Sequence, residues 1–102
     1  MNKKRWCVII ALLMLASGSA MAAGDAKLGK DKSAGCAGCH GATGVSSNPM
    51  YPNLAGQKAM YLVKAIKAYK TGARKDAMMG SMVSSLTDSD IENIAAYYAS
   101  LK

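Results

Sequence analysis

Cys36-Ala37-Gly38-Cys39-His40 is the stretch on which the reading of this chain turns. Two thiols separated by two residues can add across the two vinyl groups of one haem. The adjacent imidazole then reaches the iron from the same side, so C-x-x-C-H is an attachment signature for c-type haem. Three other chemistries use a similar pair. A zinc site takes four N, S or O ligands, and beyond residue 22 the chain has no Cys or His outside this motif. A thioredoxin-like redox pair belongs beside a βαβ pattern, which this sequence lacks. A plain disulfide is the third. The spacing favours haem.

The start of the chain fits that chemistry. Lys3, Lys4 and Arg5 precede an apolar run over residues 6–16, followed by small residues ending in Ala20-Met21-Ala22. A cationic start, an apolar core and a small-x-small site in that order read as a secretory signal. The expected cut follows Ala22, giving a signal at 1–22 and one domain at 23–102. The alternative is a permanent anchor, but the apolar run is short of the roughly 20 residues that span a bilayer. No stable membrane anchor is therefore expected, and the destination is the periplasm. Cys7 opens the apolar run rather than sitting at the cleavage site, which argues against a lipoprotein.

Composition sets the limits. With 102 residues, a second large domain is excluded. At 51% hydrophobic and 19% charged, the chain is neither disordered nor fibrous. Loss of Lys3, Lys4 and Arg5 with the signal lowers the net charge from +7 to +4. Cys7 leaves too, and only Cys36 and Cys39 remain. Trp6 is the sole Trp and there is no Phe. So small a domain needs a staple or a cofactor, and one covalently bound haem supplies the missing apolar mass. Its carboxylates reduce the positive charge further, so nucleic-acid binding is not expected.

The remaining chain predicts an all-α fold of three main helices with loops wrapped around the haem. The first spans 25–35, opened by Asp25 and closed near Gly35. Pro49 and Pro52 keep 41–57 a loop. The second spans about 57–71, with Tyr61, Leu62, Ala65, Ile66 and Tyr69 on one face, Lys64, Lys67 and Lys70 on another, and Gly72 as its stop. Residues 73–86 read as another loop with room for a short turn. The third helix spans 88–101. Thr87 and Asp90 form a near relative of the capping box, and Ile91, Ile94, Ala95, Tyr98 and Leu101 make its apolar stripe. No stretch alternates with period two, so no sheet is expected.

With His40 committed to one face of the iron, the opposite face needs Lys, Met or nothing. The methionines beyond residue 22 are Met50, Met60, Met78, Met79 and Met82. Met60 falls inside the second helix, where packing or surface roles suffice. Met50 follows the motif closely, in the loop expected to wrap the His40 side. Met78, Met79 and Met82 precede the last helix in a loop able to cross to the far side. Methionine is commonly a flexible gap-filler, and that explains most of the five.

These segments together resemble the class I c-type cytochromes, above all the short bacterial monohaem kind (cytochrome c-553-like) and the single domains of dihaem cytochrome c4. The resemblance rests on GDAKLGK, CAGCHGATG, YPNLAGQKAMYL and MMGSMVSSLTDSDIENIAAYYASL, and spans essentially all of 23–102. It implies haem c held by Cys36 and Cys39, with His40 and Met79 as axial iron ligands. Met79 stands seven residues before Leu86, the register of the family's axial Met; Met78 is the alternative, and Met82 falls at an apolar packing position. The resemblance also implies that the Pro52 carbonyl orients His40. Gly29 falls where the first and last helices cross, with Tyr97 in that crossing. Gln57 and Tyr61 fall near the haem, although helix-start and core roles explain them equally well. Tyr97 and Tyr98 suit either the core or direct haem contact.

The implied function is a soluble periplasmic electron carrier, passing one electron through a His/Met-ligated haem, with no catalytic residues and no enzyme activity. Its partners are donor and acceptor proteins. Lys58, Lys64, Lys67, Lys70, Arg74 and Lys75 suit an acidic docking surface, or form an ordinary solvated face, and a monomer is expected. One alternative is a haem c subunit of a larger redox complex. Another is an open-site haem enzyme or gas sensor, for which no second His is present to serve as an acid–base group.

Overall fold

The structure, a computed structural model, describes residues 24–102. The signal at 1–22 and its cleavage before Ala23 lie outside the described residues. Five helices follow in order: α1 (Ala26–Lys32), α2 (Ala34–His40), α3 (Ala59–Thr71), α4 (Ala77–Val83) and α5 (Asp88–Ser100). Among the described residues there is no strand, and the fold is all-α.

α5 is the spine, packing on both α1 and α3. Its start is a full capping box. The Thr87 hydroxyl accepts from the Asp90 N–H at 3.1 Å, and the Asp90 carboxylate accepts from the Thr87 N–H at 3.0 Å. Two otherwise orphaned donors are thereby satisfied. Ile91, Ile94, Ala95 and Tyr98 are all buried, as the spacing predicts. Leu62 of α3 joins them, with Val63, Ile66, Leu86 and Tyr97 packed around the cluster. Each large side chain removed from water contributes about 1.5–3 kcal/mol.

The α1–α5 crossing is close because Gly29 has no side chain. A Cβ there would collide with the backbone carbonyl of Asn93. The start of the first helix is also pinned to the middle of the last, where the Asn93 side chain accepts from the Asp25 N–H at 2.8 Å. Asp25 caps α1 as expected, accepting from Lys27 and Leu28.

Three boundaries differ from expectation. The first helix does not run to Gly35: it breaks at Ser33, which is buried and has non-helical ψ. The Ser33 hydroxyl bonds back to the Lys30 carbonyl at 2.9 Å, a local bond that competes with helix continuation. Gly35 lies inside α2, so the Cys-His motif is itself helical. The segment 73–86, read as a loop, contains α4, nucleated by Asp76 as N-cap. α3 starts at Ala59, two residues after the expected position, and ends at Gly72 in the left-handed region, φ +80°.

Candidate functional site

Helical spacing now explains the motif's geometry. Cys36 and Cys39 are three residues apart on α2 and His40 four from Cys36, so all three share one face. That face lines a cavity of about 640 Å³, within the range of cofactor sites. Leu54, Leu62, Ala65, Ile66, Val83 and Ile94 supply apolar wall from α3, α4, α5 and the 41–58 loop.

His40 is buried at 6% exposure. Its Nδ1 donates to the Pro52 carbonyl oxygen at 2.9 Å. This assigns the ring proton to Nδ1 and leaves Nε2 as the free acceptor, the state a metal-ligating imidazole needs. The loop that delivers Pro52 is stitched to itself. Leu54 and Ala55 N–H groups donate to the Gly44 carbonyl at 2.8 and 3.0 Å, and Ser46 N–H to the Asn53 side chain at 2.8 Å. Gly41 follows His40 with φ +89°, and a Cβ there would strike the Val45 carbonyl, so this turn requires glycine.

Cys36 packs against the buried cluster. Burial pushes its thiol pKa up, and neighbouring Cys39 adds to the rise, against a hydrogen bond with Tyr98. Tyr98, almost fully buried, is itself pushed up to about 12, chiefly by burial and then by Cys36, while a hydrogen bond with Ser33 opposes the rise. Tyr98 both fills the core and lines the cavity; Tyr97 packs on the core, 5.1 Å from it between ring centroids.

Methionines line the cavity as well. Met50, Met78, Met79 and Met82 all line it, while Met60 does not and is 87% exposed. Met50 is 82% exposed, and Met78 and Met82 are about half exposed. Met79 is less exposed than these, on the first turn of α4. Gln57 and Tyr61 line the cavity too. The donor set suits haem: two thiols and an imidazole on one helix, thioethers on α4 and in the 41–58 loop, and an apolar wall around them.

Two charged lining residues lie outside the site expected from the sequence. Arg74, expected as part of a basic surface, lies over the Tyr69 ring at 4.7 Å and is the one Lys or Arg that lines the cavity. Asp76 lines it as well and accepts from the Met79 N–H at 3.0 Å. Its signal was available, since Asp at this spacing before a helix is a cap.

The cytochrome c family pattern matches residues 26–102. The chain belongs to the cytochrome c family. It is 52% identical over 81 residues to cytochrome c-554(548) of Halomonas halodenitrificans, covering 98% of that protein and 76% of this chain. It is 43% identical to cytochrome c4 of Pseudomonas aeruginosa over its whole length, and spans half of that relative. The solved structure of reduced recombinant cytochrome c4 from Pseudomonas stutzeri superposes with a TM-score of 0.75 at 43% identity, over 78% of this chain and 47% of that one. The fold is therefore that of a small cytochrome c. The cofactor is covalently bound haem c, with Cys36 and Cys39 fitting its attachment motif. The role of this cytochrome c is electron carriage. Among the described residues no helix is long and apolar enough to cross a membrane.

Proposed function

We propose that residues 23–102 form a soluble periplasmic carrier of single electrons, released from an export signal at 1–22, with His40 and Met79 as the axial ligands of the iron. The observation that carries this reading is that one largely apolar cavity is lined both by an oriented imidazole and by a thioether-bearing helix. When bound, haem c supplies one-electron iron chemistry whose potential follows its axial ligands and burial. The chain's own residues do the rest. Cys36 and Cys39 fix the group to α2, Pro52 holds the His40 ring in one tautomer, and the apolar walls exclude water. With Nε2 of His40 and the Met79 sulfur both engaged, no coordination position is left for a substrate, which separates this reading from a haem enzyme or gas sensor.

Docking falls to the basic side chains. Lys58, Lys64, Lys70 and Lys75 are exposed, while Lys67 lies 4.0 Å from Asp88 and is partly neutralised. Such a surface steers an acidic partner and weakens as salt rises. The decisive test is the absorption spectrum of oxidised and reduced protein. The expected result is a haem c α-band on reduction together with a weak far-red band on oxidation, which reports thioether on ferric iron. A high-spin ferric spectrum without that band defeats the proposal.

A further inference from the structure

α4 is weakly secured for a helix given the task of presenting a ligand. It has seven residues, too few to hold a helix alone in water. Val83 is its one buried residue, and the helix packs on α3. Met79 sits at its third position. The Asp76 carboxylate Oδ1 accepts from the Met79 N–H at 3.0 Å, and the Asp76 carbonyl accepts from the Gly80 N–H at 2.8 Å. The N–H groups of Met79 and Gly80 are thus both tied to one residue. The carboxylate also faces the positive end of the α4 dipole. Neither ion pair among the described residues uses Asp76, and the nearest basic residues in sequence, Arg74 and Lys75, lie outside α4.

We propose that Asp76 is the positioning residue for Met79. Its carboxylate fixes the first turn of α4 so that the thioether is presented to the cavity rather than to solvent. The assignment rests on Met79 being the axial ligand. It differs from an ordinary cap in where the energy is read out. The same bond type caps α5, from Asp90 N–H to the Thr87 hydroxyl, but α5 is secured by four buried side chains, and none of its first-turn residues lines the cavity. Loss of the Thr87 cap should weaken the whole fold. Loss of the Asp76 cap should release the thioether first.

The test uses ferric holoprotein as wild type, Asp76→Ala, Asp76→Asn, Thr87→Ala and Met79→Ala. It reads the far-red band, the apparent affinity for added imidazole, and thermal unfolding by far-UV circular dichroism. Asp76→Ala is expected to raise imidazole affinity about fivefold, the equivalent of one typical N-cap. The far-red band should then be lost at a temperature below helix unfolding. Asp76→Asn, an equally good cap, restores both. Thr87→Ala lowers the unfolding temperature and leaves imidazole affinity unchanged. If Asp76→Ala fails to give holoprotein, Asp76→Gly, a milder loss, must shift affinity in the same direction. Parallel behaviour of the Asp76 and Thr87 variants, or unchanged imidazole affinity, overturns the proposal. A far-red band that survives Met79→Ala removes the ligand assignment itself, and the proposal falls with it by a separate route.

Discussion

The Nδ1 of His40 lies 2.9 Å from the Pro52 carbonyl oxygen, across twelve residues of intervening loop. A hydrogen bond from this position gives the imidazole partial anionic character, which makes it a better donor to ferric iron. Pro52→Ala keeps a carbonyl but frees the backbone φ that aims it. The bond should lengthen, and the midpoint potential of the holoprotein should rise. Potentiometric titration checks the sign; an unchanged potential would show that the loop holds the carbonyl in place without the ring.

Gly29→Ala places a methyl group on the Asn93 carbonyl, where rigid backbone from both helices leaves no room. The α1–α5 crossing must open or the variant must not fold. The expected loss is at least the roughly 1–3 kcal/mol of overpacked cores, measured by denaturant unfolding of holoprotein. Gly38→Ala is the matched control, because nothing lies near a Cβ there. It should leave stability close to wild type.

Cys36 and Cys39 should not be equivalent. Cys36 packs against the buried cluster beside Tyr98, whereas Cys39 is outside that set. Each single Ala variant should retain haem through the remaining thioether. Acid–acetone extraction should leave the group on the polypeptide in both and free it only in the double variant. Cys36→Ala should unfold at lower denaturant than Cys39→Ala, because it also loses core contact.

Much of this was legible because local chemistry and tertiary packing agree. The α5 stripe and its capping box, the Gly72 stop and the Asp25 cap needed only spacing and side-chain type. The motif gave the chemistry of the site, and the loop prolines predicted irregular backbone. What stayed hidden depends on distant partners. Ser33 breaks the first helix through a bond to Lys30, and a reading based on periodicity passes over it. α4 has too few residues and too little apolar periodicity to stand out, and its existence rests on Asp76 and on α3 beneath it. Arg74 lines the cavity with its guanidinium over Tyr69, a pairing that no wheel of α3 includes.

The capping box also predicts an acid limb in stability. The Thr87 N–H bond holds the Asp90 carboxyl pKa below its ordinary value, and the Thr87 hydroxyl and Lys32 act in the same direction against partial desolvation. A depressed folded pKa means that the unfolded chain binds the proton more readily. The contribution is therefore fully present above the ordinary carboxylate range near pH 4, and it is lost as pH falls through the lower folded value. Asp90→Asn keeps an acceptor but cannot titrate. Its unfolding midpoint should be lower than wild type at neutral pH, and the gap should close as pH falls from about 4 through the lower folded value, because the wild type loses the contribution that the variant never had.

Met79 is the residue on which the carrier reading depends. Four methionines line the cavity, so lining alone does not select one. Met50 is largely exposed in the His40-side loop, and Met78 and Met82 stand about half exposed on α4. Met79 is less exposed, and its own backbone N–H is tied to Asp76. Met79→Ala should abolish the far-red band and open ferrous iron to carbon monoxide. It should also lower the midpoint potential, because a thioether stabilises ferrous over ferric iron. Met78→Ala and Met82→Ala should keep the band and the potential, and change only packing at the cavity rim. Loss of the band in Met78→Ala but not in Met79→Ala would move the ligand by one residue, and with it the helical face that α4 turns to the cavity. Retention in all three variants would place the thioether ligand off α4 and make Met50, the remaining lining methionine, the residue to replace.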